Sequence, residues 1–176
     1  MLTAVIVILI LAVLAILGLA AMKPGTFTLG RETQINAKPE KLFALINDFH
    51  EWPKWSPWEK LDPALNRNHS GAASGKGAIY SWEGNKKVGQ GRMEIIESSS
   101  SGIKIKLDFL KPFEAHNIAD FTLEPGGGGT QLTWVMTGPL SFMMKLMHVF
   151  MNMDKLIGKD FETGLANLKA EAESQV

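Results

Sequence analysis

Between Leu2 and Met22 no residue carries a charge, and only Thr3 and Gly18 are not apolar. A helix rises 1.5 Å per residue, so such a run reaches about 30 Å, the thickness of a bilayer's hydrocarbon core. We therefore divide the chain into a transmembrane anchor, residues 1–23, and one domain, residues 24–176. The remainder, about 150 residues, still suffices for a single two-layer core. The mean hydropathy of +0.03 conceals this division. Without the first 22 residues it falls to roughly −0.4, an ordinary soluble value.

The run is either a permanent anchor or a cleaved signal peptide. Gly18-Leu19-Ala20 can pass as a cleavage site. Met1-Leu2-Thr3, however, offers only the α-amino charge, and the apolar stretch is longer than a signal peptide needs. The anchor is the better reading. Lys23, Arg31 and Lys38 follow the segment and no Lys or Arg precedes it. The positive-inside rule then sets the domain on the cytoplasmic face of a single-pass membrane protein, with a periplasmic domain as the alternative.

Charge and cysteine content remove whole classes of function. Eighteen Lys and Arg balance eighteen Asp and Glu, without a basic block. Nucleic-acid binding draws most of its affinity from such a block, so no nucleic-acid partner is expected. With no cysteine there is no disulfide framework, thiolate catalysis or Cys-based metal site. His50, His69, His116 and His148 show no metal-ligand spacing. Gly75-Lys76-Gly77 lacks the phosphate-loop spacing, and no cofactor motif is found.

Along the domain the hydrophobic period is first two and then 3.6. Thr26 to Asn36 reads as a strand, and Pro39 opens a short helix through Asp48. The segment from Phe49 to Trp58 is too proline-broken for a long helix. Ala64 to Lys76 is polar and Gly/Ser-rich, a loop with room for one short strand. Strands are expected at 77–83, 88–98, 103–109, 113–123 and 130–137, divided by Gly84-Asn85, Ser99 to Gly102, Lys111-Pro112 and Gly126 to Gly129. From Ser141 to about Glu173 apolar residues recur at helical steps, with a kink expected near Asn152.

Hairpin-length connections imply an antiparallel meander, and only the last helix is long enough to cover its apolar face. The expected fold is α+β: a curved antiparallel sheet wrapped around a long C-terminal helix, preceded by a single transmembrane helix. This order resembles the helix-grip superfamily (SRPBCC, START-like), in its polyketide cyclase/dehydrase-like branch. The local sequence resembles it too, at Ile35 to Phe43, Trp52 to Trp58, Tyr80-Ser81-Trp82, Gly89 to Met93 and Gly164 to Lys169. The resemblance implies a cavity between sheet and helix. It implies no one chemistry, because folds host many functions.

Strand alternation selects the side chains that would line such a cavity. Tyr80, Trp82 and Met93 face inward, as do Leu107, Phe109, Asn117 and Phe121. Arg92, Glu94 and Ile96 form the alternative inward phase of the 88–98 strand. Trp134 and Met136 of the last strand, Trp55 of the tryptophan cluster, and Phe150, Ile157 and Phe161 of the helical tail complete the wall. Phe113 and Ala115 share the inward phase, whereas Glu114, His116, Asp108 and Asp120 face out. Arg31, Tyr80 and Asn117 are the polar handles. Arg31 alternatively snorkels at the rim, and Asn117 alternatively satisfies backbone groups. No inward acid–base pair is evident, so no catalytic residue is assigned.

Trp52, Trp55 and Trp58 either plug the sheet's open end or gate it. Met143, Met144, Met147, Met151 and Met153 either pack a core or form a pliable wall or membrane contact. Together these features favour a membrane-anchored binding module for a hydrophobic small molecule or lipid. The alternatives are a cyclase/dehydratase-type enzyme and a docking or assembly factor for a membrane protein. Oligomeric state is not legible in the sequence.

Overall fold

The computed structural model describes residues 1–174, the side chains of residues 153 and 156 aside. Met153, counted above in the methionine-rich stretch, therefore lies outside the described side chains. Helix α1 spans Leu2–Met22. Strand β1 (Thr26–Ile35) and helix α2 (Pro39–Asn47) follow. Pro39 sits in the first turn of α2, where its missing N–H costs nothing. The proline-broken stretch forms two 3₁₀ helices, Phe49–Lys54 and Pro57–Lys60.

Strands β2 (Asn66–Gly71), β3 (Ala78–Glu83) and β4 (Gln90–Ser99) come next, then β5 (Gly102–Lys111), β6 (Ala115–Gly126) and β7 (Gly129–Pro139). The helical tail breaks near Asn152, as its capping chemistry implies, into α3 (Phe142–Phe150) and α4 (Met153–Glu173). The Asn152 side chain accepts the backbone N–H of Lys155 at 3.2 Å, which starts α4 on a new axis.

All seven strands form one antiparallel sheet in the order β1-β7-β6-β5-β4-β3-β2. Register breaks at Gln90/Gly91 and Ile95/Glu97 bend β4, and bulges of this kind curve a sheet. The concave face holds the core: Ile95, Ile105, Phe121, Leu132 and Trp134 meet Phe161, Leu165 and Leu168 of α4.

The tryptophan cluster closes one half of this face. Trp52 and Trp55 donate their indole N–H groups, each at 3.0 Å, to the carbonyls of Ile46 and Leu45 at the end of α2. They thereby satisfy groups that a helix C-terminus leaves open. Asn167 of α4 donates to the Trp55 carbonyl at 3.0 Å, which fastens the plug to the last helix. Phe113 departs from its expected inward placement. It precedes β6, outside the regular pleat, and is 69% exposed.

Candidate ligand cavity

Where the tryptophan plug ends, the concave face stays open beneath α3 and α4. The space is a cavity of about 340 Å³. Its sheet wall carries Tyr80, Trp82, Met93, Leu107 and Phe109, and further along Asn117, Trp134 and Met136. The small side chains of Ala115 and Ala119 on β6 leave the space unfilled. Met144 of α3 and Ile157, Asp160 and Phe161 of α4 form the roof. Trp134 stacks on Phe161 with ring centroids 4.1 Å apart, joining sheet to roof at the cavity's inner limit.

Three of the residues expected in the wall lie elsewhere. Trp55 and Phe121 are fully buried in the packed half of the sheet, and Phe150 is 69% exposed on α3. Arg31 also lies outside the cavity. Its guanidinium crosses α4 at Gly158 and pairs with Asp154 and Glu162, each at 2.8 Å. Asp154 and then Glu162 hold it protonated, its pKa above the ordinary value. Asn117 serves no backbone group: its carboxamide oxygen has no partner among the described residues, and its NH₂ group meets the Met136 sulfur at 3.9 Å.

An inward pair does exist, contrary to the reading from strand phase alone. Glu59, on the second 3₁₀ helix, is buried and lines the cavity. Its carboxylate accepts the Tyr80 hydroxyl at 2.6 Å and the Arg67 Nε at 2.6 Å. Burial first, and then the bond to Glu59, raise the Tyr80 pKa far above that of an ordinary phenol. The hydrogen bond to Glu59 likewise keeps Arg67 charged. Charge-assisted bonds of this length hold all three groups in place. The arrangement is a neutralised anchor point on the wall, with Ser56 of the preceding turn beside it in the lining.

Asp160 differs, because it makes no hydrogen bond or ion pair among the described residues. Burial raises its pKa above the usual carboxylate value, with Lys159 opposing only partly. Asp108 behaves as its outward phase predicts but is 8% exposed, covered by its partners. It receives His116 Nδ1 at 2.7 Å and Lys106 Nζ at 3.1 Å. Neither Glu59 nor Asp160 was legible as a cavity residue from strands. For Asp160 the helical step from Ile157 was the available signal, whereas Glu59 lies in a segment with no hydrophobic period.

The family model for polyketide cyclase / dehydrase and lipid transport matches residues 26–173, and the chain belongs to that family. Among curated proteins none matches the sequence. The fold recurs in solved structures of low identity. A protein from Chromobacterium violaceum is 18% identical, with a TM-score of 0.59 over 86% of this chain and 99% of its own. Ginseng major latex-like protein from Panax ginseng is 15% identical, with a TM-score of 0.62 over 85% of this chain and 99% of its own. The di-domain ARO/CYC StfQ, from the steffimycin biosynthetic pathway, is 10% identical, with a TM-score of 0.61 over 85% of this chain and 51% of its own.

Proposed function

We propose that this chain is a membrane-anchored binding module that holds a hydrophobic small molecule or lipid between its sheet and its last helices. One observation carries the reading: the domain leaves about 340 Å³ of its concave face unfilled, walled by aromatic and aliphatic side chains. That volume falls in the range of small-molecule sites, where apolar walls supply affinity and a few polar groups fix orientation. The Glu59–Tyr80 pair, Ser56 and Asn117 are the orienting groups. The ligand therefore has an apolar body and at least one hydrogen-bonding end. Residues 2–22 keep the module beside a reservoir of such molecules, on the cytoplasmic face by the charge rule or the periplasmic face in the alternative orientation.

A second reading has an observation of its own. Glu59 and Tyr80 place a carboxylate and a phenol 2.6 Å apart at an apolar wall, and an enzyme of the cyclase/dehydratase type needs little more to orient and polarise a substrate. Arg67 occupies the same carboxylate, which suits a fixed dipole better than a proton carrier.

Native mass spectrometry of the full chain released from nanodiscs separates these readings. The binding module shows a retained apolar adduct, and Ala119→Phe, which fills the cavity from β6, abolishes it. A clean ligand-free mass after exposure to lipids and polyketides would overturn the reading. Turnover of a polyketide-type substrate, lost in Glu59→Gln, would replace it with the enzymatic one.

A further inference from the structure

The two ends of the sheet differ sharply. At one end lie the β4–β5 turn, Ser99 to Gly102, and the β6–β7 turn around Gly127 and Gly128, both polar or glycyl. The strand registers gather at the other end the start of β1, the end of β7, the β5–β6 turn and the β3–β4 turn: Thr26 pairs with Pro139, Phe109 with Ala115, and Glu83 with Gln90. This is the end where Phe27, Val88, Phe109 and Ala115 line the cavity. It is also the end at which α1 joins the domain.

Large apolar side chains are exposed there. Leu110 at the end of β5 and Phe113 in the β5–β6 turn are 48% and 69% exposed. Helix α3, which starts just past Pro139, exposes Phe142, Met143, Met147 and Phe150 at 51%, 64%, 37% and 69%. Scattered exposed apolar residues need no explanation, but a set gathered at one pole does.

Helix α3 packs against α1. Within α1 only Ile16 and Ala20, one turn apart, are withdrawn from solvent. Ile16 lies six residues before the end of α1, or about 9 Å along its axis. A helix packed beside that stretch of a membrane-spanning α1 sits at the depth of interfacial amphipathic helices. Met144 reaches from the other side of α3 into the cavity roof. Lys23, Lys86, Lys87, Lys111 and Lys145 lie in the segments that meet at this pole, with Glu83, Glu114 and Asp62, whose carboxylate accepts the Asn85 N–H at 2.6 Å in the β3–β4 turn, as its acids. The surplus is positive, as anionic headgroups require.

We propose that this pole is a bilayer-docking face. In this arrangement α3 lies in the interface with its outer side among acyl chains, the Leu110–Phe113 turn dips beside it, and the cavity mouth opens onto lipid. An apolar ligand then passes between bilayer and cavity beneath α3 without crossing water. The inference rests on the anchored, cavity-binding reading above and adds the route by which the cavity loads.

The chain has no native cysteine, so single cysteines at Phe113, Met147, Phe150 and Ser100 can each carry an environment-sensitive fluorophore. The full chain is placed in vesicles of phosphatidylcholine with phosphatidylglycerol, with and without a spin label on the acyl chains. Docking quenches the first three sites several-fold more than Ser100, at the polar pole. Equal quenching at all four sites, or shielding of the three by a second copy instead of lipid, overturns the proposal. A second measurement follows transfer of a fluorescent lipid from these vesicles. Phe113→Glu with Phe150→Glu slows uptake by roughly tenfold while the amount bound at equilibrium is unchanged. An unchanged rate overturns the loading route. If the unsubstituted chain docks but never takes up lipid, the binding reading fails and the docking face stands.

Discussion

Asp160 lines the cavity roof without a hydrogen-bond or ion-pair partner among the described residues, and burial raises its pKa above 3.8. Its sign is therefore opposite to that of a paired carboxylate. Between 3.8 and its raised folded value the native state binds more protons than the unfolded chain. Stability then falls as pH rises through that window, and the full penalty applies above it. Asp160→Asn is expected to raise the melting temperature at pH 7 and to leave it unchanged below pH 3.8. Thermal unfolding of the two proteins in the same detergent, at both pH values, checks this. A loss of stability at pH 7 would mean that Asp160 has a partner that offsets its burial. His116 and Asp108 have the ordinary signs. The Asp108 bond holds His116 above 6.5, so its contribution is complete below that pH and is lost as pH rises through the higher folded value.

At the scale of elements, β4 bends where it passes beneath Trp82, and Gly91 makes the passage possible. A Cβ at Gly91 would overlap the Trp82 ring and sit 2.6 Å from the Asp108 carbonyl oxygen, which belongs to the neighbouring strand. Backbone cannot give way as a side-chain tip can. Gly91→Ala should therefore destabilise the domain by about 2 kcal/mol, within the range for overpacked cores. Denaturant unfolding followed by tryptophan fluorescence reads the change, and loss of retained apolar ligand should accompany it as Trp82 leaves the wall. The elements themselves were legible because period two and period 3.6 differ plainly, and because Asn152 is a capping residue in the right place. Strand β2 was blurred for a physical reason. It is a polar edge strand, Asn-Arg-Asn-His-Ser-Gly, whose only half-buried side chain is His69. Phe121 has the inward phase of a cavity residue, and Trp55 belongs to the cluster expected to line the wall, yet both pack. Alternation reports which face a residue takes, whereas the tryptophan plug decides how much of that face remains open. The Glu59 pairing was hidden for a similar reason. Its partners Tyr80 and Arg67 sit 21 and 8 residues away on two adjacent strands, one of which reads as loop.

For the whole molecule, the proposed anchor and the domain would act on different free energies and should be separable. Helix α1 has a mean hydropathy of 3.2 and buries almost none of its surface in the protein, so little beyond lipid rewards its apolar length. The domain has its own closed core, and α1 meets it chiefly through α3 at one pole. An arginine at the centre of a membrane helix costs about 3 kcal/mol. Leu9→Arg together with Val13→Arg should then remove about 6 kcal/mol of insertion free energy, enough to rival what a single span gains. Fractionation of cells expressing this double variant is expected to move the chain from the membrane pellet to the soluble fraction. The released protein should keep its thermal transition and retain an apolar ligand offered in solution, yet take up lipid from vesicles at least tenfold more slowly. Retention in the pellet would mean that the exposed apolar pole holds the domain to the bilayer without α1. Loss of the thermal transition would mean that α1 supports the fold through α3 and is more than a tether. The expected result makes proximity the contribution of α1: it confines the cavity mouth to the surface from which the ligand comes.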